Sequence, residues 1–340
     1  MNRKRKIAYL ALLLVSAIWG VASPVIKYTL GFISPYSFLF WRFLITSIVF
    51  LPFFIYFVRK HPLQVKDIPK LAFLGFLGTP LTLILLFLGY TKTTSLDGVI
   101  ISATAPIFIS LGGAIFLKEK ISKVEKIGLG LAILGSFITI SQPLFEGGFL
   151  KGALTGNLLV FASVLSWTAF TLLSKENFRR HHPFVITAFC FFIGLIVILP
   201  FFLHEQSTIY NQLYNQSITN LIINKSALLG ILYMSLLSSV LAYTLYEYGL
   251  SLIEASEATL FAYLQPIFAA PFSLLWLKEP ITPFFLLGAA IIAGGVLLAE
   301  YKPQNKRGFG LYNLTATKRI GEIKTLQEDN RLKVLEIKKD

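Results

Sequence analysis

Two prolines stand in matching surroundings far apart in the chain, in Ala105-Pro106-Ile107-Phe108 and Gln265-Pro266-Ile267-Phe268. Each lies near the middle of a long apolar run. Proline donates no N–H, and its ring clashes with the carbonyl four residues back. Pro106 and Pro266 therefore predict helix kinks that free the carbonyls of Ser102 and Ala262. Inside a membrane such groups are tolerated where water, a side chain or a bound solute meets them. The kinks are either purely structural or solute-facing. Ser16, Gly20, Ser23 and Lys27 follow one another at helical spacing on one face, with Trp19 alongside. Ser163, Trp167, Thr171 and Lys175 repeat the pattern. The hydroxyls either line a cavity or let helices pack closely. Trp19 and Trp167 lie well inside their runs, which favours a cavity or a gate. Gln265 carries an amide that both donates and accepts, and Tyr263 and Tyr243 lie near it or on a neighbouring run. The expected solute-binding set is Trp19, Ser23, Ser102, Trp167, Tyr243, Tyr263 and Gln265.

The charges within apolar runs are few. Arg42 either attracts a carboxylate on the external side or holds a buried, structural role. Lys27, near the end of its run, either attracts a carboxylate or snorkels to the interface. Glu247 follows Tyr243 by one turn and is the candidate acid for proton coupling, against a plain interfacial placement. Bond-making chemistry lacks its residues. His61, His181, His182 and His204 all fall in connections, and Asp97 sits at the edge of a run. That leaves no zinc site, no Ser/His pair and no aspartyl dyad within the runs. No GxxxxGK[ST] phosphate loop occurs. No catalytic residue, metal or cofactor is expected.

These residues need elements to hold them. The chain has 340 residues, 55% hydrophobic and only 14% charged. Soluble chains run to about 45–50% apolar and about 25% charged. A bilayer core of roughly 30 Å takes about 20 apolar residues per helix. Ten runs qualify: 7–30, 36–58, 71–90, 96–117, 127–141, 153–173, 184–203, 226–250, 255–277 and 281–301. The first is too long for a signal peptide and reads as a retained anchor. The single cysteine, Cys190, rules out an intrachain disulfide. Of the 31 basic residues, 25 fall on one set of alternating sides and 4 on the other, with Lys27 and Arg42 inside spans. This positive-inside pattern predicts both termini in the cytoplasm. The net charge of +14 is then a topology signal and not a nucleic-acid surface.

The halves resemble each other. A shift of 160 residues matches Gly89 with Gly249, Pro106-Ile107-Phe108 with Pro266-Ile267-Phe268, and Leu117-Lys118-Glu119 with Leu277-Lys278-Glu279. Ile121, Gly128 and Gly135 meet Ile281, Gly288 and Gly295. A shift of 148 brings Trp19 onto Trp167 and Lys27 onto Lys175. Five spans per half make the second copy inverted, a common plan for secondary transporters and some channels. The expected fold is an all-α integral membrane protein of ten helices in two inverted five-helix repeats. The expected segments are a basic arm (1–6), a first repeat (7–142), a second repeat (153–301) and a basic tail (302–340) with the composition of a disordered segment.

These motifs resemble the drug/metabolite transporter superfamily, in its ten-helix form built from two EamA domains. The resemblance rests on Trp19-Gly20, Ser23, Lys27, Arg42, Ala105-Pro106 with Leu117-Lys118-Glu119, and Gln265-Pro266 with Leu277-Lys278-Glu279. It implies transport of small metabolites, often amino-acid efflux, by alternating access. It also implies a central cavity lined by spans one, three, four, six, eight and nine. Thr168 stands where span one has Gly20, a departure from the repeat. The expected partners are a small metabolite and the lipid bilayer, with a proton as candidate coupling ion. A channel, a lipid flippase and, last, an intramembrane enzyme are the rival readings.

Overall fold

A computed structural model describes residues 3–60, 63–116, 123–145, 152–174, 183–207, 225–252 and 260–300. The tail, Lys175, and Lys118 with Glu119 lie outside the described residues, as does the Glu247 side chain. Among the described residues there is helix and no strand. Two long helices come first, α1 (Arg3–Thr29) and α2 (Pro35–Lys60). Next come α3 (Ile68–Phe76), α4 (Thr82–Lys92), α5 (Ser95–Ser102), α6 (Ala105–Phe116) and α7 (Lys123–Phe145). The second half holds α8 (Ala153–Ser174), α9 (Pro183–Ser207), α10 (Lys225–Leu232), α11 (Ala242–Leu252), α12 (Gln265–Leu275) and α13 (Pro283–Glu300). Among the described residues, six helical stretches are long and apolar enough to cross a membrane, and four shorter apolar stretches accompany them.

The distribution of polarity suits a lipid solvent. Leu10, Leu13, Ile48, Phe53 and Ile196 are exposed, whereas Ser16, Arg42, Thr46, Asn157 and Ser235 are buried. Backbone groups in lipid must be satisfied within the protein, and the irregular places follow that rule. Between α3 and α4 the helix widens into a π turn, Leu77–Leu81, which contains Pro80. The Leu77 carbonyl there accepts from the hydroxyls of Thr82 at 2.7 Å and Ser166 at 2.9 Å. A longer π stretch, Tyr233–Leu241, joins α10 to α11. Its Met234 carbonyl accepts from the Ser239 hydroxyl at 2.8 Å.

The two prolines correct an expectation. Neither bends a continuous helix. Each is the second residue of a new one, Pro106 in α6 and Pro266 in α12. The helix before Pro106 stops at Ser102, and the Thr104 hydroxyl donates to the Ile101 carbonyl at 2.6 Å. A 3-10 turn, Leu260–Leu264, precedes Pro266. In a first helical turn the missing N–H has no intrahelical partner to lose, so a break accommodates proline better than a bend.

The most extensive contact between elements is that of α7 with α13. It depends on small residues. A Cβ on Gly135 would stand 2.8 Å from the Ile292 nitrogen and 2.9 Å from the Gly288 carbonyl oxygen. A Cβ on Gly295 would stand 2.6 Å from both the Ala132 nitrogen and the Gly128 carbonyl oxygen. Backbone cannot step aside as a side-chain tip can. Gly295→Leu is therefore expected to destabilise the protein by about 3 kcal/mol through overpacking. A thermal-shift assay in detergent checks this. Gly294→Leu is the control, because nothing lies within 4 Å of a Cβ there.

Candidate functional site

A cavity of about 190 Å³ opens where the broken helices α5–α6 and the Leu260–Leu264 turn with α12 approach α1. Its walls come from α1, α4, α5, α6, α8, the Tyr233–Leu241 stretch, α11, the Leu260–Leu264 turn and α12, with one residue, Arg42, from α2. Trp19, Ser23, Ser102, Trp167, Tyr243 and Gln265 all line it, as do Pro106 and Arg42.

Aromatic rings form one side. Tyr243 meets Trp19 edge-on at 5.3 Å between ring centroids and Trp167 at 6.2 Å, so it stands between the two tryptophans. Trp19 also touches Tyr246, at 5.3 Å. The Trp19 indole donates to the Ser238 carbonyl at 3.0 Å, which ties α1 to the π stretch. Ser16, one turn before Gly20, donates to the Phe261 carbonyl in the 3-10 turn at 2.5 Å. The freed backbone before α12 is thus met by a hydroxyl of α1.

Arg42 also lines the cavity. It is 2% exposed, and its Nε donates to the Ser239 hydroxyl at 3.0 Å. The guanidinium carbon lies 5.8 Å from the Phe87 ring centroid. Nη1 is buried with no hydrogen-bond partner among the described residues.

The end of the cavity nearest Lys27 is closed by polar contacts. The Tyr90 hydroxyl donates to Ser23 at 2.7 Å, with Ser102 in reach of the same hydroxyl. The Lys27 ammonium donates to the Tyr90 carbonyl at 2.9 Å. Beyond them Glu279, almost fully buried, caps the start of α5. It accepts from the Ser95 N–H at 2.7 Å, the Ser95 hydroxyl at 2.8 Å and the Leu96 N–H at 3.0 Å. A carboxylate at a helix N-terminus is favoured by the helix dipole as well as by these bonds. Lys278 turns the chain into position with a left-handed φ of 54°. Nearby, Thr93 is hydrogen-bonded to Asn157, whose amide donates to the Thr139 carbonyl at 3.2 Å.

Three expected site residues lie elsewhere. Tyr263 is not in the cavity wall; it packs against the apolar cluster of Val99, Ile107 and Ala269. In the tight 3-10 turn Phe261 and Ala262 face the cavity, and the next side chain is carried away from it. Pro266 starts α12 but does not line the cavity. Lys27 acts at the closed end through Tyr90 and not in the wall. The sequence reading passed over Tyr90, Ser238, Tyr246 and Thr82, all of which line the cavity. It also gave Glu279 no role, although the repeated Leu-Lys-Glu triplet marked the position.

Comparison with known proteins agrees on the class. The EamA-like transporter family matches residues 6–141 and 154–301. An uncharacterized transporter of Bacillus subtilis, YetK, is 30% identical over 304 residues, covering 88% of each chain. An uncharacterized transporter of Archaeoglobus fulgidus is 26% identical, over 86% of this chain and 99% of its own. A Salmonella typhimurium protein named a probable amino-acid metabolite efflux pump is 25% identical, over 86% of this chain and 94% of its own. A solved structure shares the fold, with a TM-score of 0.59 at 15% identity over 87% of this chain and 98% of that chain. With a mostly apolar cavity that carries a few polar groups inside apolar helices, and family matches in both halves, the chain belongs to the EamA-like transporter family: it is a multi-pass membrane transporter and not an enzyme.

Proposed function

We propose that the protein exports a small polar or zwitterionic metabolite, an amino acid or related compound, across the cytoplasmic membrane by alternating access. In this reading ten spans form two inverted five-helix repeats, 7–142 and 153–301, between a basic arm (1–6) and a basic tail (302–340). Both termini are cytoplasmic, and the Lys27–Tyr90–Glu279 end of the cavity faces outward. The observation that carries the reading is the cavity of about 190 Å³ at the two broken helices. Its size is below the roughly 300–1,000 Å³ of drug-sized sites, which fits a small metabolite. Broken helices at a repeat interface are a recurrent transporter plan. The Salmonella relative's name supports both the solute class and the direction. The proposed coupling ion is a proton, with Glu247, one turn beyond Tyr243, as its carrier.

The test begins with metabolite profiling of cells that overproduce the protein. The best hit is then followed in proteoliposomes. Saturable counterflow is the expected result. Flux without counterflow replaces the carrier with a channel, and a change in lipid asymmetry with no solute replaces it with a flippase. Uptake that ignores an imposed pH gradient, or that responds to it equally in Glu247→Gln, removes Glu247 as the proton carrier.

A further inference from the structure

Among the described residues, the cavity wall holds one formal charge. Among the described residues that line it, the polar groups besides Arg42 are hydroxyls, indoles and the Gln265 amide, with no carboxylate. A guanidinium has five N–H donors and no acceptor. Here Nε is used on Ser239, and Nη1 is buried without a partner among the described residues. A buried charge whose donors are only partly met is costly. In membrane proteins such a residue marks a solute path. The helix starts at Ala105 and Gln265 also reach the wall, and helix N-termini carry partial positive charge. Among the described residues, the fixed charge that meets the cavity is thus of one sign.

The placement of Arg42 argues against a scaffold role shared by both halves. The shift of 148 that pairs Trp19 with Trp167 also pairs Pro35 with Pro183, Phe43 with Phe191 and Pro52 with Pro200. In that register Arg42 falls on Cys190. Cys190 is buried in an apolar cluster with Leu71 and Ile186. The helix pair α2 and α9 therefore packs without a cation in one copy, and the other copy places its cation in the cavity wall.

We propose that Arg42 is the carboxylate anchor of the transport site. The solute carries one carboxylate, received by the guanidinium fork, whose geometry matches it. Its apolar or ammonium-bearing body rests against Trp19, Trp167 and Tyr243. A single cation suits a monocarboxylate better than a phosphate dianion. This inference rests on the transport reading above and narrows its solute class.

The test uses the purified full-length protein and matched probes: phenylalanine against phenylalaninamide, 3-phenylpropionate against 3-phenylpropionamide, and O-phosphoserine. Binding is read by intrinsic tryptophan fluorescence, because Trp19 and Trp167 line the cavity. The acid of each pair is expected to bind about tenfold or more tightly than its amide, the usual worth of a charged hydrogen bond. Arg42→Gln is expected to erase the difference, and Arg42→Lys to keep part of it. Equal binding of acid and amide by the wild type overturns the anchor, as does a preference that survives Arg42→Gln. Tighter binding of O-phosphoserine than of the monocarboxylates overturns the solute class. If Arg42→Gln does not fold, the wild-type pairs decide alone, with Ser239→Ala as a variant that leaves the guanidinium without its Nε partner. A counterflow substrate that lacks a carboxylate also overturns the anchor while the transport reading stands. Absence of any counterflow removes the transport reading itself.

Discussion

Gly20→Val is expected to abolish transport and to cost about 3 kcal/mol of stability, the upper part of the usual overpacking range. A Cβ at position 20 would stand 2.5 Å from the Gln265 carbonyl oxygen, 2.8 Å from the Phe268 Cβ and 3.2 Å from the Gln265 Cα. Two of those atoms are backbone, at the first turn of α12. Helix α1 therefore rests directly on the start of the second broken helix, with Trp19 next door in the cavity wall. Valine must push α1 and α12 apart. That displaces the Ser16 bond to Phe261 and the Gln265 amide together. Counterflow in proteoliposomes and thermal shift in detergent read the two effects separately. A variant that keeps full counterflow would show that α1 and α12 are free to separate during the cycle. Gly130→Val, with nothing within 4 Å of its Cβ, provides the baseline.

Glu279→Ala is expected to have the next largest effect, a loss of about 3 kcal/mol, because buried donors left unmet cost about 1–3 kcal/mol each. Three donors lose their acceptor: the Ser95 N–H, the Leu96 N–H and the Ser95 hydroxyl. The hydroxyl can fall back on Ser273, 2.7 Å away. The two backbone groups have no such recourse, since they open a helix whose first N–H groups lack intrahelical partners. Glu279→Gln separates shape from charge. Its amide offers one acceptor oxygen and one donor nitrogen, so it fails at least one of the two N–H groups. Its stability is expected to fall between those of the wild type and the alanine variant. If the glutamine variant is as stable as the wild type while the alanine variant is not, the charge is dispensable and only the fill of the space matters. In the transport cycle proposed above, this carboxylate stands at the outward end, where it ties α5 to the connection between α12 and α13. The alanine variant should then change the rate of counterflow as well as stability.

What the sequence made legible follows from which signals are local. Length and hydropathy mark apolar helices wherever a bilayer is the solvent. Family membership followed from short motifs such as Trp19-Gly20 and Leu277-Lys278-Glu279. Trp19, Ser23 and Trp167 announced themselves because a bulky or polar side chain deep in a helix needs a reason. Tyr263 misled because it stands two residues from Gln265 in the sequence, whereas the 3-10 turn carries its side chain away from the cavity. The π stretches had no clear mark: Leu77–Leu81 contains Pro80, but Tyr233–Leu241 contains no proline. The Glu279 cap joins residues 184 positions apart, a pairing that periodicity cannot see. The prolines were recognised but misread, since a sequence does not reveal whether a helix bends or stops.

The contact between α7 and α13 has a further consequence. Gly135 approaches Gly288 and Ile292, and Gly295 approaches Gly128 and Ala132. Under the 160-residue shift these two sets of neighbours exchange places, position for position. A surface that meets its own equivalent in this way is isologous, the arrangement by which two identical subunits close a twofold dimer. Here both copies lie on one chain, so each is free to change alone. They have begun to do so: one side presents Ala132 where the other presents Ile292. A half-length chain of this kind would carry a self-complementary strip and feel every substitution there twice. Fused in tandem, the protein keeps the twofold fit of its glycines while, among the described residues, the cavity wall holds a cation from one half only.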